Sequence, residues 1–347
     1  MKPRYMLVFP NMRRITVALL IGFVQLAAAA PQAKNPFLGR WDLTFTGSLP
    51  ADWVGNAGWL GVTEKDGKVE ALFQGYEGHV APVESFDIRG AHMSVVVNNA
   101  TERSPAMTVE LDVAGGKITG VQKRRDQAVT LVGVPAPDLK RGAPAAWTDP
   151  TPLFNGKNLD GWEAVNSATA LNWLVQDGQL VNAERGTNIK TTRKFDDFKL
   201  HFEVSCPQRA NSGFYLRGRY EVQISGGPGS PPSPAPPPAA KGPGARAGRA
   251  GYMSAPNRAM GSVYGRLAPS SVLSTPPDGW DTFDVTLVGR TVTIVRNGVT
   301  TIDQKEIEGT TGGALDSNEG EPGPFYIQGD HTGNVRFRNI TVSVPKS

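Results

Sequence analysis

Cysteine is almost absent from this chain. The single thiol, Cys206, excludes an internal disulfide and any zinc site built on cysteines. It ends the alternating run HFEVSC and is expected to be a small buried side chain, not a nucleophile. Blocks of Lys and Arg interleaved with aromatics are also missing, and the net charge is only +4 over 347 residues, so nucleic acid is not an expected partner. Helical 3.6-residue periodicity of useful length is not found either, which leaves strands as the building material. Histidine is scarce. His79 and His92 have no second ligand at metal spacing and are expected on the surface near strand ends. What the chain has in quantity is 40 Gly and 28 Pro, the composition of many turns.

The first 30 residues read as an export signal. Arg13 and Arg14 precede the apolar run ITVALLIGFVQLAAAA, and Ala28 and Ala30 offer a small-residue cleavage site. The run is too short for a convincing membrane anchor and no lipid-bearing cysteine follows. The expectation is an exported protein, periplasmic or secreted from a bacterium, with no stable membrane span after cleavage.

Residues 36–134 contain short alternating runs separated by turns such as KDGK and AGGK. Strands that follow one another by hairpins predict a small antiparallel β domain of barrel type. Its opening FLGRWDLTF is similar to a lipocalin first strand, with Trp41 closing one end. Residues 135–150, PAPDLKRGAPAAWTDP, read as a linker. A second all-β domain is expected over residues 151–345. Within it, residues 226–256 form a Pro/Gly-rich insertion that cannot pair into a sheet and reads as a loop or lid.

The run NSGFYLRGRYEVQI, from Asn211 to Ile224, organises this second domain. Phe214, Leu216, Tyr220, Val222 and Ile224 share one parity; Tyr215, Arg217, Arg219, Glu221 and Gln223 share the other. A period of two predicts one long strand with an apolar face on the core and a polar face carrying guanidiniums, a carboxylate, an amide and a phenol. That mixture suits a hydroxyl-rich ligand, and it also suits an ordinary wet strand face. Trp173 and Trp280 are expected in the core.

The second domain carries, in order, LFNGKNLDGW (Leu153–Trp162), WLVQDGQL (Trp173–Leu180), FDDFKLHFEV (Phe195–Val204), NSGFYLRGRYEVQI and GSVYG (Gly261–Gly265). GWDTFDVTLVGRTVTIVRNG and IQGDHTGNVRFRNI complete the set. On these motifs it resembles the 3-keto-disaccharide hydrolase domain family. The resemblance covers nearly all of residues 151–345 and departs from the family pattern at the insertion. It implies a concanavalin-A-like jelly-roll β-sandwich and a carbohydrate substrate, with no cofactor.

Retaining glycoside hydrolysis needs two carboxyl groups close together. Glu221 is one, but its neighbour on the same face is the amide Gln223. The family's name implies another route. The C2 hydrogen of a 3-keto sugar is acidic, so a base can remove it, the glycosidic oxygen leaves from C1, and water adds afterwards. On this reading Glu221 or His331 is the base. Arg217, with Lys190 or Arg219, steadies the enolate, and Gln223, Asn211 and Gln328 hold ring hydroxyls. Trp162 or Tyr215 stacks on the sugar, and Asp330 is a candidate acid. Asp330, His331 and Glu221 are of metal-binding type, but their spacing specifies no metal. A non-catalytic carbohydrate-binding module is the alternative reading of the same face.

Overall fold

A computed structural model describes residues 35–49, 54–76, 78, 80–97, 106–227, 255–276, 279–331 and 333–346. The expected export signal, His79 and most of the 226–256 insertion lie outside the described residues. Residues 35–347 form one compact unit. It is all-β; among the described residues the only helical element is a 3-10 turn, Pro256–Arg258.

The first nine strands are β1 (Gly39–Phe45), β2 (Ala57–Lys65), β3 (Lys68–Gln74), β4 (Val80–Pro82), β5 (Ser85–Arg89), β6 (His92–Val97), β7 (Met107–Ala114), β8 (Lys117–Arg124) and β9 (Gln127–Pro135). They make one antiparallel sheet in the order β4-β3-β2-β1-β9-β8-β7-β6-β5. Between β4 and β5 the amide of Val83 donates to Ala71 O at 3.0 Å and that of Glu84 to Val96 O at 2.9 Å. Two adjacent residues thus tie the opposite ends of the sheet together, and it curls into the expected barrel. The hairpins turn at Asp66-Gly67 and Gly115-Gly116, all with positive φ as tight primed turns require. Alternate residues fill the interior, among them Leu43, Phe45, Phe73, Val95 and Leu111, and Trp41 is buried with its indole N–H on Phe37 O.

Thirteen strands follow: β10 (Thr151–Pro152), β11 (Trp162–Ala164), β12 (Trp173–Gln176), β13 (Gln179–Asn182), β14 (Ile189–Thr191), β15 (Phe198–Ser205), β16 (Asn211–Leu216), β17 (Tyr220–Ser225), β18 (Asp281–Val288), β19 (Thr291–Arg296), β20 (Val299–Glu306), β21 (Tyr326–Ile327) and β22 (Val335–Ser343). They build an eight-stranded sheet, β12-β13-β22-β15-β18-β19-β20 with β10 beside β22, and a five-stranded sheet, β11-β14-β21-β16-β17. The core lies between these sheets of the jelly-roll sandwich. Phe202 of β15 stacks on Phe283 of its own sheet at 4.9 Å and on Phe214 of the other sheet at 4.4 Å. Cys206 and Trp173 belong to this core, and burial pushes the Cys206 thiol up to about 12, which leaves it unreactive. Trp280 does not belong to it. Half-buried at the surface, its ring is covered by the Arg338 guanidinium 3.9 Å away.

Residues 211–224 are two strands, not one. Arg217 (φ 52) and Gly218 (φ 69) turn the chain, and the Arg219 amide donates to Leu216 O at 3.0 Å. Leu216 pairs with Tyr220, so three residues make the loop. An odd-length loop of this kind keeps residues four apart on the same face, and the alternation runs through it undisturbed.

Candidate functional site

The register of the five-stranded sheet places one row of side chains across all its strands. Glu163 pairs with Lys190, Lys190 with Tyr326, Tyr326 with Tyr215, and Tyr215 with Glu221. Directly opposed residues in an antiparallel sheet point to the same side, so these five share the face turned away from the core. Residues two positions along join them. Gly213 lies opposite Gln223, the Gln328 backbone amide donates to Gly213 O, and Asn211 Oδ1 accepts from Gln223 Nε2 at 2.6 Å.

The floor of this face is buried. Tyr215 and Tyr326 stack at 4.0 Å with 18° between planes, and Glu221 lies beside them, 3% exposed. Gly213 makes room for it: a Cβ there would come 2.5 Å from Glu221 Oε1. The Tyr215 hydroxyl, with a single proton, lies 2.6 Å from Gly312 O and 2.9 Å from Glu221 Oε2, and accepts from Gln328 Nε2 at 3.1 Å. Burial raises the Glu221 carboxyl to about 8; the hydroxyl of Tyr215 opposes that rise, the charge of Asp330 adds to it, and Arg258 opposes it. Burial likewise holds both tyrosines well above their ordinary value, so they remain neutral phenols. Asn188, buried, donates to the Tyr326 hydroxyl at 3.3 Å and accepts from the amides of Gly329 and Asp330.

The chain returning from the insertion walls the outer edge. Ser262 O accepts from the Gln223 amide, the Gly261 amide donates to Gln223 O, and the Tyr264 amide donates to Glu221 O, with Val263 bridged to Val222. This return delivers Arg258, 7% exposed, whose guanidinium lies over the Tyr264 ring and donates to its hydroxyl at 3.2 Å. Desolvation lowers the Arg258 pKa, with the Tyr264 and Glu221 charges acting against that.

Of the residues expected at the site, Lys190, Asn211, Tyr215, Glu221, Gln223, Gln328 and Asp330 gather on this face or its rim. Lys190 pairs with exposed Glu163 at 3.3 Å. His331 stands further out, 44% exposed, with Nδ1 on Asp330 Oδ1 at 2.7 Å. Three expectations are corrected. Arg217 and Arg219 belong to the turn, not the face. Arg217 is spent on Asp196 (3.0 Å), the Tyr220 hydroxyl and Gly289 O, and Arg219 on Asp316 (2.7 Å) and Glu321 O. Trp162 sits one residue from Glu163, so it points into the core with its indole N–H on Leu153 O. Tyr215 has no ring face free for a sugar, because Tyr326 stacks on it and it is 0% exposed. Arg258, Asn188 and Tyr326 were not anticipated. Arg258 adjoins the low-complexity insertion, and only its nearness to GSVYG could have marked it. His92 bonds Asp112 and Glu110 on the exposed side of the barrel, and among the described residues no group of three or more His, Cys, Asp or Glu could hold a metal ion. No described helix is long and apolar enough to cross a membrane.

Residues 149–343, the whole sandwich with this face, match the sequence profile of the 3-keto-alpha-glucoside-1,2-lyase-like domain. The chain belongs to this family. As such, the 3-keto-glucoside-lyase-like domain is that of a carbohydrate-active, hydrolase-like enzyme. Two candidate glycosyl hydrolases from Parabacteroides distasonis are similar in structure. One is 26% identical, covering 59% of this chain and 93% of that one, with a TM-score of 0.44. The other is 20% identical, covering 57% and 94%, with a TM-score of 0.41. The family assignment stands on the sequence match. No curated protein sequence matches the chain. The lyase-like domain contains the site face entire, from Glu163 to His331, whereas the barrel lies outside the matched residues.

Proposed function

We propose that this enzyme cleaves 3-keto-glycosides by elimination followed by hydration, with Glu221 as the base. The observation that carries the reading is a lone carboxyl on the floor of the sheet face, desolvated, raised to about 8 and flanked by Gln223 and two neutral phenols. A carboxylate made more basic by burial is what abstraction from carbon requires near neutral pH. The strand supplies no second carboxylate to act as nucleophile, which argues against ordinary retaining hydrolysis.

In the proposed sequence, ionised Glu221 takes the C2 proton of the keto sugar. The C–H electrons move onto the C3 oxygen as an enolate, and their return expels the aglycone from C1. The departing oxygen takes a proton from the now protonated Glu221 or from water, leaving a C1=C2 double bond; water then adds at C1 while C2 regains a proton, which releases the 3-keto sugar. Arg258 and Lys190 are the cations near the face that can steady the enolate oxygen. Gln223, Asn211 and Gln328 are placed for ring hydroxyls, and Gln328 Oε1 has no protein partner. Since the base must be ionised, kcat/KM should rise with pH and level off above about 8.

The test is incubation with a 3-keto-disaccharide and with its unoxidised parent, in deuterated water, followed by NMR. Cleavage of the keto form alone, with deuterium at C2, is expected. Glu221→Gln should lower turnover by roughly 10²–10⁴-fold while retaining binding. Cleavage of the parent sugar, or full turnover by E221Q, would overturn the reading.

A further inference from the structure

The barrel reaches the site through one loop. Residues 310–313, part of the β20–β21 connection, bond to the barrel on one side and to the β16–β17 hairpin on the other. On the barrel side, Gln74 of β3, fully buried, donates through Nε2 to Thr310 Oγ1 at 3.3 Å and to Thr311 O at 3.2 Å. Its Oε1 accepts from Arg266, which also holds Thr310 O. Gly78 packs against the same loop so closely that a Cβ on it would lie 2.7 Å from Gly312 Cα. On the site side, the Thr311 hydroxyl accepts the Glu221 amide at 2.9 Å and donates to Arg219 O, and Gly312 O takes the Tyr215 hydroxyl at 2.6 Å.

We propose that the N-terminal barrel is a positioning element of the catalytic face: Gln74 and Gly78 hold loop 310–313 so that Gly312 O competes with Glu221 for the Tyr215 proton. This rests on Glu221 being the base. A phenol has one proton, and it cannot serve both acceptors. Gly312 O lies nearer, at 2.6 Å against 2.9 Å to Glu221 Oε2, so it draws the proton away and weakens the hydrogen bond that stabilises the ionised carboxylate. If the loop retreats, the hydroxyl turns wholly to Glu221, stabilises the anion further and makes it a weaker base. The other groups facing Glu221 are Tyr326 behind Tyr215, Asp330 after β21, and Arg258 and Tyr264 from the returning chain. The loop itself, Thr-Thr-Gly-Gly, brings no charge, so its effect passes through the Tyr215 proton.

Two substitutions loosen or displace the loop from different points, Gln74→Leu and Gly78→Ala. In full-length protein shown to be folded by circular dichroism, each should move the rising limb of the kcat/KM pH profile down by about one unit and lower the plateau. Removing the relay with Tyr215→Phe should abolish the further shift, so Q74L added to Y215F leaves the limb where Y215F alone puts it. The proposal is overturned if both loop variants keep the parental limb, or if Q74L shifts it equally in the Y215F background. These outcomes are separable from the status of the base, because E221Q tests that alone: collapse in E221Q with unmoved limbs in the loop variants sinks only the role of the barrel.

Discussion

Two regions of this molecule bury carboxyl groups at comparable depth, and they are built differently. On the sheet face, Glu221 is surrounded by phenols and amides, with Arg258 the cation that bears on it and half-buried Gln328, Lys190 and Asp330 forming a rim. Where the barrel meets the sandwich, Asp42 of β1 hydrogen-bonds Glu319, and burial, then the charge of Glu319, raises Asp42 to about 9. Glu319 itself is 0% exposed, accepts from the Tyr220 hydroxyl at 2.6 Å and pairs with Arg290 at 3.3 Å. Alongside, Trp59 carries the Arg266 guanidinium 4.2 Å above its ring and is wedged so tightly that a Cβ at Gly61 or Gly309 would collide with it. Both places hold a carboxyl far from its ordinary state. Only one has a rim through which a substrate could come. A raised carboxyl marks a site when neutral donors and open space surround it; ringed by guanidiniums and sealed, it marks a joint.

The comparison breaks most visibly at its charges. Arg290→Met strips Glu319 of its buried cation and should cost about 3–5 kcal/mol of stability, read by denaturant unfolding, with turnover per folded molecule unchanged. A loss of turnover without a loss of stability would mean that the joint takes part in catalysis. Gly213→Ala acts in the opposite sense. Its Cβ displaces the Glu221 carboxyl and should lower kcat on the order of 100-fold, since displacements near 1 Å have that effect, while the unfolding midpoint moves little.

Proton linkage sharpens the contrast. Asp42 is raised from 3.8 to about 9, so its contribution to stability is complete below the lower value and is lost as pH climbs through the upper one. Asp42→Asn should flatten the fall of stability between those limits, measured as melting temperature against pH. An unchanged slope would show that Asp42 is not held protonated. The smallest effect is expected at the rim: His331→Ala should fall well short of the roughly 100-fold loss that marks a missing general base. A larger loss, matching E221Q, would move the base from the floor to the rim.

Much of the fold was legible. Asp66-Gly67, Gly115-Gly116, Asp177-Gly178 and Asn297-Gly298 all turn hairpins where those pairs stand in the sequence, because positive φ at both positions leaves few other residues eligible. The polar face was legible as a parity but not as a place. Alternation says which side chains share a side of a strand, and it cannot say that Arg217 and Arg219 lie in a turn where Asp196 and Asp316 claim them. Tyr326, Lys190 and Glu163 complete the row only through the pairing of strands far apart in sequence. The joint between barrel and sandwich was illegible for the same reason: Gln74 and Thr310, or Asp42 and Glu319, meet across more than half the chain, and nothing local announces either.

The three-residue tip at Arg217–Arg219 also constrains how this gene can change. The ladder holds Tyr215 opposite Glu221, so a residue gained or lost here must be absorbed by the loop; absorbed within β17 instead, it would send Glu221 into the aromatic core and Val222 out to the opposite face. Length variation in this hairpin is thus confined to its tip, so in related chains indels should fall at Arg217–Arg219 and not within the strands that flank it.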